Sequence, residues 1–128
     1  MMVVQLADFG VRRSAPGESG WADLRDEQRL AVEADGNAAL VTAIDLGEPT
    51  DIHPANKNVL GARLAEAFNG RPLPMPERAA MDAGALTVSF TGIEGALQAQ
   101  GGAHPLGVEL CEAGAGTCRF ALAALDGS

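Results

Sequence analysis

Apolar positions along this chain follow two different rhythms. Up to residue 68 they come as short continuous runs separated by stretches of helical spacing; after residue 78 they alternate with a period of two. Met2 to Leu6 is short, β-branched and apolar, the pattern of a buried strand. Ala7 to Gly20 holds Pro16, three glycines and two serines, and reads as a loop. From Trp21 to Glu33 the apolar spacing is helical. Trp21, Leu24, Gln28 and Ala31 share one face with Leu30 beside it, and Gly20 or Ser19 supplies the cap. After a turn at Ala34 to Asn37, Ala38 to Ile44 is a second strand. Its nearly continuous apolar character suits a parallel sheet covered on both faces. Asn56 to Phe68 predicts a second helix with Val59, Leu60, Leu64, Ala67 and Phe68 on its inner side. Strand, helix, strand, loop and helix in this order describe the carboxyl-terminal part of an α/β sheet.

The rhythm then changes. Asn69-Gly-Arg-Pro72-Leu-Pro74-Met-Pro76 is punctuated by prolines and divides the chain into residues 1–68, a linker at 69–78, and a small β domain at 79–128. In the β domain Leu86, Val88 and Phe90 alternate with polar residues and face one way. Further short strands are expected near Leu97, around Leu106 to Cys111, and from Cys118 to Ala124, giving a small antiparallel unit. The last residues, Asp126-Gly127-Ser128, are a turn signal, so this unit is expected to be incomplete.

Composition narrows the classes of function. The chain has 128 residues, 47% of them hydrophobic and 20% charged, which is globular in character. A formal net charge of −8 argues against a nucleic-acid partner, whose phosphates require a basic face. No apolar run approaches the ~20 residues needed to cross a bilayer. The amino terminus lacks the basic and apolar regions of a signal peptide. With no tyrosine and 4% aromatic residues, the stacking platforms of a carbohydrate-binding module are scarce.

The chemistry concentrates in Asp45-Leu-Gly-Glu-Pro-Thr-Asp51-Ile-His53-Pro54-Ala-Asn56-Lys57. Here an apolar strand ends, a turn-rich loop presents a histidine, and a helix begins. Imidazole titrates near pH ~6.5, so it can take up and return a proton in neutral water. Loops at the carboxyl ends of strands are where α/β folds place ligand-facing groups. His53 is thus either a general base or a surface histidine beside a proline. Asp51 either orients that imidazole or serves as a turn residue. Asp45, at the strand end, is a second candidate acid with the same alternative. Asn56 and Lys57 suit a helix cap and a solvated first turn. No serine has the setting of a nucleophile. Gly17-Glu-Ser19-Gly-Trp21 fails the G-x-S-x-G elbow at Trp21, and Ser14 has no strand directly before it. Cys111 and Cys118 flank a glycine-rich reversal, where they either close a hairpin disulfide or remain free thiols. The two cysteines with His104 do not complete a zinc site.

On these residues the chain resembles the sialate O-acetylesterase family of SGNH-type carbohydrate esterases. Val4-Gln5-Leu6-Ala7-Asp8-Phe9 is similar to the family's V-Q-L-A-x-F strand end. Trp21-Ala-Asp-Leu-Arg-Asp-Glu-Gln28 is similar to its W-x-x-L-R-x-x-Q helix. Ala43 to Leu64 resembles its I-D-x-G-x-P-x-D-I-H-P-x-N-K-x-x-x-G-x-R-L block, and Gly116-Thr-Cys118-Arg-Phe-Ala its carboxyl-terminal β region. The resemblance implies the carboxyl-terminal portion of an SGNH-like α/β/α parallel sheet followed by a small antiparallel β unit. It also implies a serine esterase that removes acetyl groups from sugars with no metal or cofactor, in a family often periplasmic or secreted. His53 matches the catalytic base. The family's early serine block and oxyanion donors are absent from this chain, and Thr50 stands where the general SGNH pattern has an acid. Asp51 lies one residue closer to His53 than that acid, so the candidate catalytic set is His53 with Asp51, or a Ser–His dyad without it. The alternative is a hydrolase-like binding or accessory protein without catalysis, and open sheet edges would favour self-association.

Overall fold

A computed structural model describes residues 1–71, 73–99, 102–114 and 116–125. Strand β1 (Met2–Val4) pairs in parallel with β2 (Ala39–Val41), with Val3 opposite Leu40. Helix α1 (Gly20–Asp35) connects them, and helix α2 (Lys57–Phe68) follows. The strand–helix–strand order expected from the sequence is thus a parallel crossover. The described sheet has these two strands, both shorter than the apolar runs that mark them. Beyond Val4 the chain keeps the direction of the sheet through single bonds. The Gln5 N–H donates to the Val41 carbonyl at 2.9 Å and the Asp8 N–H to the Ile44 carbonyl at 3.3 Å.

Helix α1 starts at Ser19, whose hydroxyl accepts from the Ala22 N–H at 3.3 Å, and stops at Gly36 in the left-handed conformation (φ 65°). Its inward face differs from the expected one. Val32 is its buried residue, with Trp21 and Gln28 half-buried, whereas Leu24 and Ala31 are exposed. The reason is polar. The Gln28 side chain accepts from the Leu6 N–H at 3.1 Å, and the Gln5 side chain donates to the Arg25 carbonyl at 3.0 Å. The Trp21 indole donates to the Ala7 carbonyl at 2.7 Å. These bonds run both ways between the helix and the strand end, and they fix the rotation of the helix more firmly than an apolar stripe does. Helix α2 turns Val59, Leu60, Leu64 and Ala67 inward as expected, but Phe68 is 78% exposed.

The core among the described residues is Ala7, Val32, Leu40, Val41 and Ala43. All five belong to the first 43 residues. After α2 the chain forms two hairpins. Strand β3 (Met75–Asp82) pairs antiparallel with β4 (Ala85–Thr91), and β5 (Glu109–Cys111) with β6 (Cys118–Phe120). Strand β3 begins inside the proline-rich segment read as a linker. Pro76 is accommodated by a register shift between Pro76 and Arg78, a bulge at which a missing N–H is tolerated. The strand expected near Leu97 is not formed; residues 96–99 are irregular. No described helix is long and apolar enough to cross a membrane.

Candidate active site

The loop carrying His53 leaves the carboxyl end of β2. Ala43 is 1% exposed, and Ile44–Leu46 make a single 3₁₀ turn. Gly47 then lies directly on the Asp8 backbone: a β-carbon there would collide with the Asp8 carbonyl. Phe9 and Glu48 form an isolated parallel bridge at the next step. This close approach explains the glycine and seats the loop beside the end of β1.

Past Pro49 the chain makes an Asx turn. Oδ1 of Asp51 accepts from the His53 backbone N–H at 2.8 Å and lies 3.0 Å from Nδ1 of the His53 ring. One carboxylate oxygen therefore sets both the backbone and the ring of the same histidine. The backbone hydrogen bond from His53, then the ring, holds the Asp51 carboxyl below its ordinary range. In the neutral tautomer that carries its proton on Nδ1, that proton is directed at Asp51 and Nε2 is left as an acceptor. The His53 side chain is 81% exposed and that of Asp51 60%. The two alternatives for Asp51, turn residue or imidazole orienter, are thus one arrangement. Asn56 closes the loop by accepting from the Val59 N–H at 3.2 Å, which caps α2.

Asp45 lies elsewhere. Its two carboxylate oxygens take both terminal nitrogens of Arg63 at 2.6 Å each, and Arg63 Nη1 also donates to the Thr42 carbonyl at 3.0 Å. The Arg63 hydrogen bonds hold the Asp45 carboxyl below its ordinary value, and Asp45 in turn raises the guanidinium. Asp45 is committed to Arg63, so Asp51 is the acid that meets His53. A shallow cavity of about 260 Å³ opens beside this pair, bounded also by Glu48, Asn56 and Val59. At its wall the Asp45 carboxylate and the terminal nitrogens of Arg63 pair with each other, and Asn56 Oδ1 is taken by the helix cap.

Among the described residues no serine hydroxyl hydrogen-bonds to His53. Ser19 caps α1, and Ser14 is exposed in the loop before it. His104 is exposed in an irregular segment before β5. Cys111 and Cys118 face each other across β5 and β6 with Cα atoms 4.1 Å apart and form a disulfide. Glu109 lies close to both sulfurs, but a disulfide sulfur is no thiolate ligand, so this cluster does not suit a metal ion. Sequence reasoning passed over Arg63 as a site residue. Its signal is an arginine in the second turn of a helix that follows a loop opened by an aspartate.

No protein-family model matches the chain, and no curated protein matches it. Among solved structures it is similar to a carbohydrate acetylesterase from Xanthomonas citri. The two share 33% identity over 98% of this chain, with a TM-score of 0.71. The match covers 31% of the Xanthomonas citri chain, so this chain spans about a third of its length. The relationship is therefore acetylesterase-like, in a mixed fold of helices and small sheets.

Proposed function

We propose that this chain is the base-carrying, carboxyl-terminal portion of a serine carbohydrate acetylesterase, of the sialate O-acetylesterase kind. The observation that supports this most is the Asp51–His53 pair at the end of β2, with Nδ1 held by the carboxylate and Nε2 open. In such an enzyme Nε2 takes the proton of a serine hydroxyl as the serine attacks the acetyl carbonyl. The resulting imidazolium then gives that proton to the departing sugar oxygen, and the same steps run with water to free acetate. Asp51 keeps the ring in the required tautomer and stabilises its charged form. The serine and the oxyanion donors come from polypeptide outside these 128 residues, and the substrate is an acetylated sugar. The small β unit that opens with β3 at Met75 follows the catalytic portion as a separate element.

A second reading is a hydrolase-like binding or accessory protein. It is favoured by the exposure of His53 and by the absence of a serine beside it among the described residues. A labelling experiment tests where the nucleophile lies. The purified chain should hydrolyse an activated acetyl ester no faster than its His53→Ala variant, and a serine-directed phosphonate should label neither Ser14 nor Ser19. Stoichiometric labelling of either serine, with a rate that depends on His53, would place the nucleophile inside this chain and end the proposal.

A further inference from the structure

We infer that Asp45 and Arg63 are positioning residues for His53: their ion pair joins the two ends of the segment that presents the imidazole and so sets where Nε2 points. The inference rests on the reading of His53 as a general base. Between the 3₁₀ turn ending at Leu46 and the start of α2 at Lys57, the chain has no regular structure beyond the Phe9–Glu48 bridge. Nothing packs over the imidazole, and its side-chain partner, Asp51, rides on the same loop. That bond fixes the ring relative to the loop, not relative to the sheet. The direction of Nε2 against the sheet must therefore be set where the loop is anchored.

Most anchors act at one end alone. The Leu46 N–H to the Ala43 carbonyl and the Gly47 contact with Asp8 hold the entry; the Asn56 cap holds the exit. Asp45 with Arg63 is different, because Asp45 lies at the entry and Arg63 in the second turn of α2. The same guanidinium reaches Thr42 just beyond β2. One planar group thus ties strand end, loop entry and helix with three hydrogen bonds. A lysine cannot reproduce that fork. The two side chains are 24% and 20% exposed, so solvent and salt screen them less than a surface pair.

The test reads the direction of the imidazole against the sheet. The chain has two histidines, so the His53 ring signals are assigned against those of His104. In a weakly aligned sample of the unmodified chain, the residual dipolar couplings of the His53 ring and of its backbone N–H should fit one orientation in the frame of the β1, β2 and α1 amides. Asp45→Asn, Arg63→Gln and Arg63→Lys should each abolish that fit, while the local Asp51–His53 bond persists. Leu64→Ala, which trims the half-buried side of the same helix and removes no partner of the pair, should lower stability and leave the fit in place. Asp45→Asn changes the pair with the least change of shape, so it carries the test if an Arg63 variant fails to fold. Folded Asp45→Asn protein in which His53 keeps its orientation against the sheet would overturn the proposal, as would an equal loss in Leu64→Ala. The readout uses no substrate. The clamp can therefore fail while the esterase reading stands, and an inactive enzyme would leave the clamp intact.

Discussion

The α/β portion, residues 1–71, and the hairpin portion after it are held together by different physics. In the first, every buried side chain is an aliphatic residue within the first 43 positions, and the defining bonds join residues far apart in sequence. Gln28 meets Leu6, Trp21 meets Ala7, and Arg63 meets Asp45 and Thr42. In the second, Met81, Leu86, Val88 and Phe90 are 69%, 40%, 43% and 39% exposed, and the bonds are those between adjacent strands. A disulfide at β5–β6 stands where a core would otherwise be needed. The α/β portion can therefore hold a loop in one orientation, whereas the hairpins can hold only their own pairing. The proposed role of His53 needs a side chain held in one direction, and His53 lies on the first kind of scaffold.

That contrast breaks most visibly at Leu40, which is 8% exposed. Leu40→Ala should cost about 2–5 kcal/mol. Helical circular dichroism should melt at lower temperature while the Cys111–Cys118 disulfide hairpin keeps its strand signals. Simultaneous loss of both would mean that the portions unfold as one unit. The converse experiment is reduction of the disulfide. It should destabilise the β5–β6 hairpin by roughly 2–3 kcal/mol, the loop-closure value for so short a loop, and leave the α1 and α2 amides as protected as before. Spread of the loss into α1 would contradict the division.

Acid sharpens the comparison at the loop. Asp45 has a carboxyl held below its ordinary value by Arg63, so the folded state binds fewer protons than the unfolded one. The contribution of the pair should be complete above the unfolded value near pH ~4 and disappear as the pH falls through the folded value. Measured as the stability difference between the natural chain and Asp45→Asn, it should be flat toward neutral pH and shrink in acid. A difference that grows in acid would reverse the assignment. The smallest effect is expected at the β3–β4 turn, where Ala83 has φ 46° and Gly84 φ 83°. Both conformations are left-handed, and asparagine tolerates the first better than alanine does. Ala83→Asn should raise the hairpin's stability by about 0.5–1 kcal/mol without changing the helices.

The parts legible in the sequence are those with a period or a local signature. The apolar runs at Met2 and Ala38 announced a parallel pair, and the spacing from Trp21 and Asn56 announced two helices. The Asp51-Ile-His53-Pro54 turn announced a loop histidine, and the cysteines flanking a glycine-rich reversal announced a hairpin while leaving disulfide and free thiols both open. What escaped depends on long-range polar pairing. Nothing periodic marks Arg63 as the partner of Asp45, or shows that the amides of Gln5 and Gln28 turn α1 so that Leu24 faces water. Strand β3 was hidden because three prolines between Pro72 and Pro76 read as a linker, although a bulge lets Pro76 lie in a strand. The apolar run near Leu97 suggested a strand but has no pairing partner among the described residues.

In the proposed enzyme His53 serves a nucleophile lying beyond this segment. The most direct measurement replaces the matching 31% of the Xanthomonas citri acetylesterase with this chain and compares the folded chimera with its His53→Ala form on an acetylated sugar. Acetate release that falls by ~100-fold or more in His53→Ala is the predicted result. A chimera equally active with and without the imidazole would contradict the account.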